Sequence, residues 1–204
     1  MKTTPWCAAL ALMCATFLTT AARFIRADEQ DKKSKPSKAD KIDIADGKFQ
    51  MLAPEGWERK QPKINFIEHE FEVPASEGDE RPGRVTVMGA GGSIEDNVKR
   101  WYGQFRQPDG GDSADAAKVE QKKVAGQEVT LVDVAGTYLD KPGGPFAGGK
   151  TIERDDYRML AAIIETTQKG KKTGNYFIKL IGPRKTIADN QKAFDAMIES
   201  LKAQ

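Results

Sequence analysis

Residues 157–166 read Tyr157-Arg158-Met159-Leu160-Ala161-Ala162-Ile163-Ile164-Glu165-Thr166. Positions 159–164 are apolar without alternation, which predicts a strand covered on both faces. A strand with one wet face would alternate, because successive side chains point to opposite sides of a sheet. Such a strand sits centrally and needs a layer of structure on each side. Residues 175–182 follow after a Lys/Gly-rich turn and form a neighbouring strand, ended by Gly182-Pro183. Upstream, 117–124 and 128–139 are strand segments joined by Ala125-Gly126-Gln127, a hairpin.

Further out, residues 49–52 give a short strand closed by Pro54-Glu55-Gly56-Trp57. Over 64–73, Ile67, His69, Phe71 and Val73 alternate with Glu68, Glu70 and Glu72, a period of two with one wet face. Residues 84–88 continue the sheet after a Gly/Glu/Pro-rich loop at 76–83. Ser93 and Asp96 have capping-box spacing, and Ile94, Val98, Trp101 and Phe105 recur at helical spacing up to Gln107. A last helix is predicted from Thr186 and Asp189, with Ile187, Phe194, Met197, Ile198 and Leu201 largely on one face. Residues 141–150 hold four glycines and two prolines and read as a long surface flap. Hairpin-length links within the strand groups give the class: α+β, an antiparallel sheet sandwiched between helices.

At the N-terminus, Lys2 precedes an apolar run over 7–18 and then small residues at 19–22, the order of a cleavable signal peptide. Cleavage after Ala22 fits better than after Ala27. The run is about a dozen residues where a spanning helix takes about twenty, so no membrane span is expected. Residues 23–46 are mostly charged or small and are expected to form a disordered leader. Residues 47–204 are left as a single domain, since the chain from Arg23 onward suffices for one core but not two of ordinary size. Cys7 and Cys14 both fall within the signal segment, so the exported protein would carry no disulfide. A monomer is expected. The 32 basic and 30 acidic residues are interleaved along the chain, which argues against nucleic acid as a partner.

The chemistry on offer is sparse. The one histidine, His69, shares a strand face with Ile67 and Phe71 and reads as a packed residue with one hydrogen bond. No Gly-x-Ser-x-Gly elbow surrounds any serine. One histidine and two cysteines destined for removal leave no ordinary zinc set, and Glu153, Asp155 and Asp156 lack the pattern of a calcium loop. Gly89-Ala90-Gly91-Gly92 lacks the Lys-Ser/Thr of a phosphate loop. No cofactor, metal or catalytic residue is therefore assigned, and an enzyme is not expected. Asp133 and Lys179 stand out as charges inside apolar strands, and must face water, a partner or one another. Asn97, Arg100 and Gln104 form a polar strip on the first helix beside Trp101, a combination suited to recognition.

With these elements placed, the chain resembles the PsbP-like superfamily. The resemblance rests on Pro54-x-Gly56-Trp57, on Tyr176-Phe177-x-Lys179-Leu180-x-Gly182 and on Phe194-x-x-Met197-x-x-Ser200-Leu201, over residues 48–202. Asn97-x-x-Arg100-Trp101-x-x-Gln104-Phe105 is similar to a helix of exported bacterial proteins of this type. What the resemblance implies is an α/β/α sandwich that binds and stabilises other proteins. The basic and metal-associated residues of photosynthetic members do not align here, so no photosystem role is carried over.

The resulting expectation is an exported accessory domain, periplasmic or extracellular, that binds an extracytoplasmic protein. Asn97, Arg100, Gln104, Tyr138 and Lys179 are its candidate contacts. Two alternatives stand beside it. One is a small-ligand carrier with a pocket lined by Trp57, Trp101 and Tyr138. The other is a hydrolase using carboxylates alone, which a buried acid in a cleft would favour.

Overall fold

The computed structural model describes residues 40–142 and 150–204. The elements run β1 Lys41–Ile44, β2 Phe49–Leu52, β3 Glu58–Lys60, β4 His69–Val73, β5 Gly83–Ala90, α1 Ile94–Tyr102, β6 Phe105–Arg106 and α2 Ser113–Ala116. They continue with β7 Lys118–Val124, β8 Gln127–Asp140, β9 Ile152–Gln168, β10 Lys171–Pro183, α3 Arg184–Asp189, α4 Gln191–Glu199 and β11 Lys202–Ala203. Every pairing is antiparallel. The main sheet has the order β3-β4-β5-β10-β9-β8-β6, with β7 on the first half of β8, and β1-β2-β11 form a second, small sheet.

β9 lies between β10 and β8, and all of Met159–Ile164 is buried, at 5% exposure or less. Its alternate residues feed two cores. Leu160, Ala162 and Ile164 join Val85, Val87, Ile178 and Leu180 on one face. Met159, Ala161 and Ile163 join Val132, Val134 and Phe177 on the other. Unbroken apolar sequence thus corresponds to a strand with no wet side.

The two covering layers differ. On the first face Phe194, Met197 and Ile198 of α4 and Ile187 of α3 share the core with Ile42, Ile44, Phe49 and Met51, so a small sheet covers that face together with the helices. On the second face α1 supplies Val98 and Trp101, and the indole meets the Phe177 ring edge-on at 5.3 Å. α1 has nine residues and covers one half of that face. Among the described residues no helix covers the half towards β4 and the start of β5, where a groove lies.

Several expectations need correction. β1 falls inside the stretch 23–46 read as a leader; Ile42 and Ile44 alternate with Lys41 and Asp43, and this short period-two signal buries both isoleucines completely. α1 begins as read, with Asp96 N donating to Ser93 Oγ at 3.0 Å, but ends at Tyr102, and Phe105 belongs to β6 opposite Tyr138. The last helix starts earlier, after Pro183, and breaks at Asn190. Thr186 does not cap it: its backbone N and hydroxyl both donate to Asp79 Oδ2, tying the 76–83 loop down. The signal segment and residues 23–39 lie outside the described residues, as do 143–149 of the flap. Among the described residues no helix is long and apolar enough to cross a membrane.

One bulge positions the open face. Gly136 pairs with Tyr157, but Tyr138 pairs with Arg154, so β9 carries one extra residue there, with Asp156 at φ 52°. A Cβ on Gly136 would sit 2.8 Å from the Arg106 carbonyl oxygen, so only glycine lets β6 approach. As a result Tyr138, Arg154 and Tyr157 project from the same side of the sheet.

Candidate binding face

Two of the five candidate contacts, Lys179 and Gln104, meet at the end of α1, and Arg100 stands four residues before Gln104. Lys179, on the α1 side of β10, donates from Nζ to Gln104 Oε1 at 2.9 Å, and its ammonium lies 5.6 Å from the centroid of the Trp101 ring. Gln104 is held by the backbone: its N donates to Trp101 O at 3.0 Å, and its carbonyl accepts from Leu139 N at 2.8 Å. Arg100 is exposed, and its guanidinium donates to Asn97 Oδ1. Asn97 itself is 1% exposed. Its Nδ2 donates to Gly91 O at 3.1 Å and Ser93 O at 2.7 Å, so it clamps the glycine loop to α1 instead of presenting a contact surface.

Burial lowers the Lys179 ammonium from its usual 10.5 to about 8, and the positive charges of Arg84 and Arg100 push the same way. Asp133, the other in-strand charge, lies on the opposite face. There it accepts two bonds from Arg158, at 2.8 and 2.7 Å, and Arg158 also donates to Gln191 Oε1. The two do not face one another, because Asp133 pairs with Leu160 whereas Lys179 pairs with Ala161.

Tyr138, the fifth candidate, stands farther along the same face. It packs on Phe105 at 5.5 Å and stacks on Tyr157 at 6.1 Å and 10°. Burial pushes its hydroxyl up to about 12, with the Asp140 charge adding to the effect. These tyrosines wall a groove of about 280 Å³ in the open half of the sheet face. Its polar sides are ion pairs: Arg84 grips Glu70 with two bonds at 2.8 and 3.0 Å, and Arg154 holds Asp140 at 2.9 Å. Ile181 and Gly83 belong to the floor. Arg84, Arg154, Asp140 and Tyr157 were missed by sequence reasoning. Alternation along β5 sets Arg84 against Val85 and Val87 and could have flagged it; Arg154 joins the face only through the bulge.

The remaining candidates are spread out. Trp57 belongs to the opposite core and donates its indole N–H to Asn190 Oδ1 at 3.0 Å, so Trp57, Trp101 and Tyr138 line no common pocket. His69 is half-buried and makes two bonds, not one. Its Nε2–H donates to Asp43 O at 2.7 Å, and its Nδ1 accepts from Arg59 at 2.9 Å, an arrangement that ties β1 to β4. Glu153, Asp155 and Asp156 diverge to Arg106, Thr137 and Arg184 respectively. A second cavity, of about 490 Å³, lies beside α4. There burial raises the Asp195 carboxyl, against the charges of Lys122 and Arg158, while of the neighbouring acids Glu199 is paired with Lys122 and Asp133 with Arg158.

No known family matches the sequence, and no curated protein matches it. Among solved structures the chain is similar to the PsbP of the cyanobacterium Synechocystis, at 14% identity, TM-score 0.47, over 81% of this chain and 92% of that one. It is also similar to LpqN, involved in cell envelope biogenesis of Mycobacterium tuberculosis, at 9% identity, TM-score 0.46, over 80% and 88%. A third is the Ran-binding protein Mog1p of Saccharomyces cerevisiae, at 10% identity, TM-score 0.43, over 81% and 95%.

Proposed function

We propose that this chain is an exported accessory protein, built as an α/β/α sandwich, that binds another protein in the open groove beside α1. The observation that carries the reading is the composition of that groove. Stacked tyrosines and ion-paired arginines lie on a rigid sheet, and tyrosine and arginine are the residues that anchor protein interfaces. Arg84 and Arg154 are already held by Glu70 and Asp140, so a partner meets ordered side chains and little entropy is lost on binding. Export rests on the order of charge, apolar run and small residues over 1–22.

The test is site-specific photocrosslinking in cells that export the protein. A crosslinking side chain at Tyr138 or Tyr157 should capture one defined protein, and the same group at Val119, exposed on β7, should not. Tyr157→Ala, made with the crosslinker at Tyr138, should reduce capture severalfold with thermal melting unchanged. Equal capture from Tyr138 and Val119 would refute the groove as the binding surface.

A further inference from the structure

Lys179 lies midway along β10, with Thr86 and Ala161 opposite it on β5 and β9. Phe177 and Ile181 flank it on the same face, and Trp101 of α1 lies over it. An ammonium has three donors. One is used, on the neutral Gln104 amide. Among the described residues no carboxylate comes within salt-bridge distance of Lys179. The nearest acids of the groove, Glu70 and Asp140, are committed to Arg84 and Arg154. Among the described residues the charges whose fields reach the ammonium are both positive, Arg84 from β5 and Arg100 from α1, and Arg100 donates to the Asn97 amide oxygen.

A cation so placed loses solvation and gains no counter-charge, which a fold that needed only stability would avoid. A methionine of similar length would pack there at lower cost. The position is complementary to an anion that reaches Lys179 and Arg100 together, and a carboxylate, with two oxygens, can bridge an ammonium and a guanidinium. Low local polarity beside Trp101 and Phe177 makes that pairing stronger than one on an exposed lysine. Ile181, two residues along β10 on the same face, lines the groove and packs against the core beside Lys179.

We infer that Lys179 and Arg100 form a carboxylate-binding site at the α1 end of the groove, which receives an acidic side chain of the protein bound there. The inference rests on the groove being the partner surface and adds the chemistry that the partner must bring. Binding of the carboxylate favours the charged form of Lys179, so affinity and the lysine titration are linked.

The experiment follows the Lys179 Cε resonance in the full chain with labelled lysine, assigned by its loss in Lys179→Met. The probe is a peptide of ten residues alternating Glu and Gly, with a Gln/Gly peptide as control. The Glu peptide should move the Lys179 titration to higher pH. Its affinity should fall about tenfold in Lys179→Met, and also in Arg100→Ala, whose site is exposed and does not threaten the fold. Lys171→Met, at the distant start of β10, should bind as the wild type does. The Gln peptide should do nothing. Glu-peptide binding that leaves the Lys179 titration in place overturns the site. Succinate or inorganic phosphate binding as tightly as the peptide would show a site for free anions, which overturns the partner's side chain as the source. The Tyr138 crosslink separates the two readings. A crosslink that persists at full yield in Lys179→Met leaves the groove standing and removes the carboxylate site, whereas absence of the crosslink in the wild type removes the groove itself.

Discussion

Lys179 shows how one residue sets apart what stabilises this fold from what equips it. Its ammonium is charged in the unfolded chain up to its usual 10.5 but only up to about 8 in the folded one. Between those values the unfolded state holds more protons, so stability rises with pH across that window. Stability from this group is fully present above 10.5 and is lost as pH falls through about 8. At neutral pH the fold therefore bears a cost, which the partial exposure of the side chain trims to roughly 1–3 kcal/mol. Lys179→Met is expected to raise the melting temperature at pH 7, and the gap to wild type should close as pH goes from about 8 to above 10. Urea denaturation of both proteins across that range checks it, and a gap constant with pH would show the lysine to be solvated. The sequence exposes this residue as a charge in an apolar strand. It cannot expose the partner, because Gln104 arrives from a turn 75 residues away.

At the scale of the element, the central strand was the most legible part of the chain. An unbroken apolar hexad can satisfy only a strand buried on both faces, and β9 has that place between β10 and β8. Ile163→Asp is expected to destabilise by several kcal/mol, enough to unfold the domain, because the new carboxylate would enter the core shared with Trp101 and Phe177 without a partner. A fitting control is Glu120→Ala on the exposed part of β7, where a change within about 0.5 kcal/mol is expected. Glu70 serves poorly as a control, although its alternation marks a wet face: its carboxylate is held by Arg84 and its side chain is 16% exposed. Denaturation midpoints measure the difference, and similar midpoints for Ile163→Asp and Glu120→Ala would contradict the assignment. Helix ends were less legible than strands. The Thr186-x-x-Asp189 spacing suits a cap, but the hydroxyl serves the 76–83 loop, a tertiary use that local spacing does not encode. The groove was hidden for a related reason, since period two sets Arg154 and Tyr157 on opposite faces and only the bulge in β9 brings them together.

For the whole molecule, β1 shows that the folded unit extends before residue 47, where composition sets its start. Residues 23–46 read as polar because charges outnumber apolar residues, yet four of them, Lys41–Ile44, form a strand on β2 with Ile42 paired to Met51 and Ile44 to Phe49. β1 is also fastened from the side: Arg59 donates to Asp40 Oδ2 at 2.7 Å and to Lys41 O at 2.6 Å, and His69 reaches Asp43 O. A small sheet at the edge of the α4-side core thus depends on its first strand for two large side chains and for its ties to β3 and β4. Burying an isoleucine completely contributes about 1.5–3 kcal/mol, so removing both takes away about 3–6 kcal/mol, a large share of a domain's total stability. A chain that starts at Asp40 should therefore melt far higher than one that starts at Gly47, the boundary that composition suggests. The shorter chain should also expose Phe49 and Met51, which 8-anilinonaphthalene-1-sulfonate binding would report. The α1-side groove shares no residue with this core edge apart from Phe71 of β4. If the chain from Gly47 folds at all, crosslinking from Tyr138 should survive in it while its melting point drops, because the two faces of the sheet carry separate tasks. Equal melting of the two truncations would mean that β1 contributes nothing to the core.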